Sequence, residues 1–344
     1  MRSVQALVGF ALVGTLLVLG VANIALRATW HRGEDGVLWD ARPEGVVVKD
    51  VAEGTAAAGR LQPGDLLEDI DGTPIEKLDQ VQEILNRTPK NTPLHYKLVR
   101  LGSTRFIDLT LTPVPVGNLP LYFVLAAVGI FSLLVGTSVR LRRPRDPATL
   151  HFFLLSIAFF GVFTFSYAGR LDTLDWIFYW ANEVSILLLP PLFLHFTLAF
   201  PERGRGERAL ADRIQPFLYL PAVALGAFEV GVFFRASLNP RYYIQTWAAA
   251  IDRLEYLYLA LCLVAGFLVW VWALSRMRPV TGRRQLRWIV AGVLFGAGPF
   301  VFGYALPRSL GSEPGSAQQL LAIPLGLLPL AFASAVVRYR MMDV

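Results

Sequence analysis

Eight stretches of this chain are apolar for about twenty residues each, the length an α-helix needs to cross the roughly 30 Å hydrocarbon core of a bilayer. They fall at residues 3–26, 119–139, 150–168, 176–200, 214–234, 254–275, 288–306 and 320–337. A backbone in lipid has to satisfy its own hydrogen bonds, and stretches of this length do so as helices. Composition agrees, because 54% of the 344 residues are hydrophobic and 17% are charged, with a mean hydropathy of +0.49. The net charge of +6 is read as arginine in membrane loops, and no nucleic-acid partner is expected. Membrane lipid is the first partner implied. The lone Cys262 sits in an apolar run, which leaves no disulfide framework and no thiol metal site. No cofactor and no metal are expected.

The most informative of these stretches is 176–201, WIFYWANEVSILLLPPLFLHFTLAFP. Pro191 cannot donate to the carbonyl four residues back and restricts Pro190, so the sequence predicts a kink there with Pro190 displaced from the helical region. Carbonyls freed in lipid need partners from neighbouring helices, which predicts that this fourth span lies inside the bundle. The first stretch carries no charge after Arg2, a pattern shared by signal peptides and uncleaved anchors. Its length, and the poor cleavage candidate at 20–22, favour the anchor.

Between residues 30 and 115 the character changes. All four lysines (Lys49, Lys77, Lys90 and Lys97) fall here, and short alternating runs separate turn signals, as in an α+β module that lives in water. Residues 45–51, 66–70, 94–101 and 105–111 read as strands. The sequence Gln62-Pro63-Gly64-Asp65 suits a type II turn, Asp71-Gly72 and Gly102-Ser103 suit hairpins, and 78–86 reads as a short amphipathic helix.

The Gly-Thr-Ala-Ala segment, the Leu-Gln-Pro-Gly-Asp turn, the Asp-Gly-Thr-Pro hairpin and the helix after it together resemble a PDZ domain. The resemblance implies that a partner's C-terminal peptide adds to a sheet edge, beside a helix and under a carboxylate-binding loop. In this chain the matching peptide-binding positions are Gly36, Val37, Leu38 and Trp39, facing Val81 and Leu85 on a helix face expected to be half exposed. Asp35-Gly36-Val37-Leu38-Trp39 departs from the usual Gly-aromatic-Gly loop, so a structural or self-binding role stays open beside peptide capture.

Arginine distribution orients the helices. The loops at 140–145, 203–213 and 276–287 hold thirteen arginines, whereas the alternate loops hold five, namely Arg170, Arg235, Arg241, Arg253 and Arg308. The positive-inside rule then puts both termini in the cytoplasm and the PDZ-like module outside the plasma (inner) membrane. Three domains are expected: an N-terminal transmembrane anchor helix at 1–29, an extracytoplasmic PDZ-like domain at 30–115, and a seven-helix transmembrane sensor domain at 116–344.

The segment PPLFLHFTLAFP, followed by an arginine-rich loop, and the ending VRYRMMDV resemble the membrane sensor region of multi-pass bacterial signalling proteins. With the anchor helix and the PDZ-like module, the whole chain is similar to the input half of the quorum-sensing histidine kinases that regulate competence. That resemblance implies a cytoplasmic histidine kinase or phosphatase output, and a chain that is either a separate receptor or a truncated one. A homodimer is left open. No catalytic motif is present: a zinc protease would need His-Glu-x-x-His, but His31, His95, His151 and His195 have no second ligand at helical spacing. Ser185 and His195 are too far apart on one helix to pair.

Acids inside membrane helices are costly unless they meet a cavity or a partner. Glu183 and Glu229 are expected at similar depth below the outer ends of their helices and are the candidate ligand pocket, with helix packing as the bland alternative. Asp175 and Glu255 are expected nearer the outer surface. The leading reading is a signal receptor, with a non-signalling adaptor that docks partner proteins through the PDZ-like module as the alternative. A transporter is disfavoured because no internal repeat is evident.

Overall fold

The computed structural model describes residues 2–88, 92–115, 118–170, 172–200, 213–238, 244–276, 280–312 and 314–339. The Arg-rich loop at 203–212, Tyr242, Tyr243 and the last five residues of VRYRMMDV lie outside the described residues.

The first span, α1 (Arg2–Thr29), leads directly into the α+β module. Its elements are β1 (His31–Glu34), β2 (Val37–Arg42), β3 (Gly45–Val51), β4 (Leu66–Ile70), β5 (Thr73–Pro74), α2 (Leu78–Arg87), β6 (Pro93–Arg100), β7 (Ser103–Thr110) and β8 (Thr112–Pro115). The main sheet runs in the order β2-β3-β4-β6-β7, with β5 paired to β4. Turn chemistry sets these pairings. Gly64 takes φ +95° in a turn closed by the Asp65 amide donating to the Gln62 carbonyl at 3.1 Å. The β6–β7 hairpin turns through Leu101 and Gly102, at φ +50° and +78°, one residue earlier than expected, because Arg100 pairs with Ser103. Residues alternating along the strands bury Val46, Val48, Leu67, Ile70, Leu94, Tyr96, Leu98 and Leu109 beneath α2. A separate two-stranded ribbon pairs β1 with β8. The chain therefore enters and leaves the module on one stalk.

After β8 come α3 (Leu119–Arg142), α4 (Pro147–Thr164), α5 (Thr173–Ala199), a 3₁₀ turn (Gln215–Tyr219) running into α6 (Leu220–Leu238), and α7 (Ile244–Arg276). Then α8 (Val280–Phe300) continues through a π turn (Val301–Ala305) into α9 (Leu306–Ser309). The last span begins as α10 (Ser316–Gln319), tightens to 3₁₀ geometry at Leu320–Gly326 around Pro324, and ends as α11 (Leu327–Tyr339). With α1, eight helices among the described residues are long and apolar enough to cross a membrane, so the chain is a polytopic helical membrane protein with an inserted α+β domain.

Within the bundle, α5 packs against α4, α6 and α7. It stays helical through Pro190 and Pro191, so the expected displacement of Pro190 does not occur. Both prolines are buried among Leu189, Leu192 and Phe193. That packing holds a backbone conformation the proline pair disfavours on its own. Toward the C-terminal end of α5, Phe152, Phe193, Phe196, Trp270 and Phe332 form one aromatic core, and the Trp270 indole donates to the Phe200 carbonyl at 2.9 Å.

Without water to exclude, helices in lipid associate by close packing, which favours small residues at the crossings. On α8, a Cβ at Gly292 would lie 2.5 Å from the Ala331 Cβ, and one at Gly296 would lie 3.0 Å from the Pro324 carbonyl oxygen. These glycines let the last span lie directly against α8. Gly296→Leu should therefore destabilise the detergent-solubilised chain by about 1–3 kcal/mol, the usual cost of overpacking. Gly298→Leu is the control, since its Cβ would meet nothing closer than 4.0 Å. Thermal unfolding followed by size-exclusion chromatography checks the pair, and equal midpoints would contradict the close packing.

Candidate functional site

Three acids from three helices meet inside the bundle. One carboxylate oxygen from each of Glu183 on α5, Glu229 on α6 and Glu255 on α7 lies within 4.8 Å of the others. Glu183 lies ten residues inside its span, Glu229 six and Glu255 eight. At ~1.5 Å per residue, that is about 9–15 Å from the helix ends. The antiparallel helices bring those ends to the same side, so the expected common depth of Glu183 and Glu229 is what the structure has. Glu255 lies deeper than expected, because α7 starts at Ile244, ten residues before its apolar run. Asp175 does not join the cluster.

Glu229 and Glu255 are 3% and 5% exposed. The Tyr179 hydroxyl donates to Glu229 Oε1 at 2.6 Å, whereas Glu229 Oε2 and Glu255 Oε1 are buried with no hydrogen-bond partner. Two ionised carboxylates 4.8 Å apart repel by about 3 kcal/mol even at an effective dielectric constant near 20. Such a site is relieved by protons or by positive charge from elsewhere, and Arg308 is already paired with Asp252 at 2.6 Å.

Aromatic rings stand between the cluster and the module end of the bundle. Trp176, Tyr179 and Trp180 lie on the α5 face that leads to Glu183, and Phe233 lies one turn beyond Glu229. The Phe233 ring packs edge to face within 5.9, 5.5 and 5.4 Å of the three α5 rings.

At the module end of the bundle, polar contacts tie the module to the loop that leads into α5. The Asn86 side chain, on α2, donates to the Gly169 carbonyl, and the Arg170 guanidinium lies 5.3 Å over the Trp30 ring. Asp175, on the first turn of α5, pins this loop by accepting from the Ala168 and Arg170 amides at 2.7 and 2.8 Å. Asp172 caps the helix, accepting from the Asp175 amide at 2.8 Å.

Within the module, Gly36 takes φ +78° and starts β2, whose outer edge carries Val37 and Leu38, with Leu38 54% exposed. Trp39 turns inward. Val81 and Leu85 are not half exposed as expected: they are buried in the module core, so a charge at either would sit in that core. The Val37 amide, a donor that the loop would offer a peptide carboxylate, already donates to Asp35 Oδ1 at 3.0 Å. Asp35 Oδ2 accepts from the Trp39 indole and the Tyr96 hydroxyl, each at 2.9 Å.

Two features were invisible in the one-dimensional spacing. The His151 ring on α4 lies 4.1 Å from the His195 ring on α5, and His195 Nδ1 is 3.0 Å from the Tyr219 hydroxyl. A cavity of about 210 Å³ opens between α3, α5, α7 and the last two spans, lined by Leu125, Ile186, Leu189, Tyr256 and Tyr304 among others.

Residues 123–344 match the family described as the N-terminal 7TM region of histidine kinase, and residues 47–100 match the PDZ domain family. Over 67 residues, 20% of its length, the chain is 36% identical to probable periplasmic serine endoproteases DegP-like of Pseudomonas fluorescens and Pseudomonas putida. The matching stretch spans 14% of those proteins. Among solved structures, the HtrA-type protease AlgW with decapeptide is 26% identical at a TM-score of 0.24, over 25% of this chain and 31% of that one.

The two buried aspartates of the module should titrate in opposite directions. Burial raises the Asp35 carboxyl above the ordinary aspartate range, against its three hydrogen bonds. Burial also pushes Asp65 up, but hydrogen bonds from Arg100 and the Gln62 amide, with the Arg100 charge, outweigh it and hold Asp65 below that range. Linkage fixes the signs. Ionising Asp35 costs stability as pH rises from about 3.9 through its raised value, whereas the Asp65 contribution is lost as pH falls through its lowered one. Carboxyl ¹³C NMR of aspartate-labelled protein should place Asp35 above and Asp65 below free aspartate; coincident titrations would contradict the two networks.

Proposed function

The chain belongs to the family of N-terminal 7TM regions of histidine kinases, and from that premise we propose that it passes an extracytoplasmic signal through its helices to a cytoplasmic histidine kinase or phosphatase output. In this reading residues 1–29 anchor the chain, 30–115 form the extracytoplasmic PDZ-like domain, and 116–344 form the sensor bundle. Both termini are cytoplasmic, as the arginine bias requires.

The observation that supports this reading best is the continuity of α5. At its outer end α5 holds the loop that Asn86 of the module contacts. Midway it carries Glu183 into the carboxylate cluster. Near its other end it places His195 beside His151, and Phe196 against Trp270. A ligand shifts an equilibrium only by binding one state better than the other. Charge arriving at three mutually repelling acids supplies that difference, and a helix with a buried proline pair, short of backbone hydrogen bonds, is suited to two packings. Glu183 and Glu229 are accordingly the proposed ligand-reading residues.

The exposed edge of β2 favours a second reading, in which Gly36, Val37, Leu38 and Trp39 capture a partner's C-terminus over a floor of Val81 and Leu85, and the protein acts as a membrane adaptor. For that to happen, the incoming carboxylate has to displace Asp35 from the Val37 amide.

Topology is tested by alkaline phosphatase fusions, active after Asp71 and inactive after Arg145; the reverse pattern would overturn the orientation. For the sensor reading, Glu183→Gln and Glu229→Gln should leave abundance in the membrane unchanged but weaken the response of a fused kinase output. Wild-type responses in both single variants and in the double variant would return these acids to helix packing.

A further inference from the structure

We infer that Glu183, Glu229 and Glu255 bind one hard divalent cation of the Mg²⁺, Mn²⁺ or Ca²⁺ class inside the bundle. The inference rests on the reading of these acids as the ligand site and adds the chemistry of the ligand. Three carboxylate oxygens within 4.8 Å of one another can reach a single ion, because oxygens at about 2.0–2.6 Å on opposite sides of such an ion are themselves about 4–5 Å apart. The donor set is all oxygen, which selects hard cations over zinc or copper.

A cluster of acids alone would not carry this. Glu255 is 5% exposed and Glu229 3%, each keeps a buried oxygen without a hydrogen-bond partner, and each brings a carboxylate oxygen within 4.8 Å of the other acids. Tyr179 occupies the other oxygen of Glu229 and so orients the free one. Among the described residues no lysine, arginine or histidine forms an ion pair with any of the three. Carboxyls that share a buried site are kept neutral either by protons or by a bound cation, and the unpartnered oxygens are positioned for the second. An organic ammonium would need an open aromatic box, whereas Trp176, Tyr179, Trp180 and Phe233 are packed edge to face against one another. What fits beneath that cover is a compact ion.

The test uses the full chain in nanodiscs, stripped with EDTA and titrated with MnCl₂, with free Mn²⁺ read by its electron paramagnetic resonance signal. Saturable binding of about one ion per chain is expected, displaced by Ca²⁺ or Mg²⁺. Glu229→Gln and Glu255→Gln should each weaken it at least about ten-fold, a loss that even outer-shell partners of a metal produce. A second readout needs no site variant: in wild-type protein labelled with 5-fluorotryptophan, Mn²⁺ should broaden the ¹⁹F lines of Trp176 and Trp180 and spare those of Trp272 and Trp288. No saturable binding at about 10⁻³ M, the weak end for extracellular calcium modules, would overturn the inference. So would binding unchanged in both Gln variants, or broadening confined to Trp272 and Trp288. If Mn²⁺ fails to bind while Glu183→Gln still weakens a fused kinase, the cation inference falls and the acids remain the ligand-reading site. If binding is lost in the variants but output is unchanged, the cation site stands and the sensor reading falls.

Discussion

Lipid offers no hydrogen bond to a backbone and no counter-ion to a carboxylate, and α5 violates both conditions at once. Pro190 and Pro191 remove two amide donors from its ladder, and Glu183 puts an acid on its inner face. Each is tolerable only where protein surrounds it. The helix accordingly packs against α4, α6 and α7, with its prolines buried. The rest of the bundle follows from this. Helices α6 and α7 lie where Glu229 and Glu255 share the charge problem with Glu183, and the aromatic rings of α5 and α6 stand between the acids and the module end of the bundle. A close-packed apolar helix at this position would hold the bundle together better. That the chain keeps the acids and the prolines is what argues for a two-state element here.

The module solves a comparable problem in the opposite way. Asp35 is as buried as the membrane acids, yet all its demands are met internally by Val37, Trp39 and Tyr96. The consequence is a sheet edge whose first amide, that of Val37, is already engaged by the chain itself. The module is thereby suited to resting on the bundle through Asn86 and Trp30, and the proposed peptide capture would have to compete with this internal network.

What the sequence shows follows the reach of each signal. Helix spans are set by a length threshold, and hairpins by residues that tolerate positive φ, so both could be read from local runs. The β6–β7 turn shifted by one residue because Leu101 takes the left-handed conformation that Gly102-Ser103 had suggested. The 3₁₀ stretch of the last span was signalled by Pro324 but masked by its apolar neighbours. The carboxylate site was half legible. Glu183 and Glu229 could be placed by counting from helix ends, whereas Glu255 was counted from the start of an apolar run, although its helix begins ten residues earlier at Ile244. The His151–His195 pair and the β1–β8 ribbon join residues far apart in the chain, and no spacing rule reaches across that gap. The burial of Val81 and Leu85 was missed for another reason: a groove-facing helix and a core-facing helix show the same periodicity.

The central claim is that α5 couples the module to the carboxylates. A double-mutant cycle on a fused kinase output measures this directly, with Asn86→Ala at the module contact and Glu183→Gln in the cluster. Sites with no shared partner normally combine additively, within about 0.3–0.5 kcal/mol. Coupling through α5 predicts a double variant that departs from the product of the single effects by more than that, at wild-type abundance in the membrane. Strict additivity would mean that the module and the acids act independently, and would contradict it.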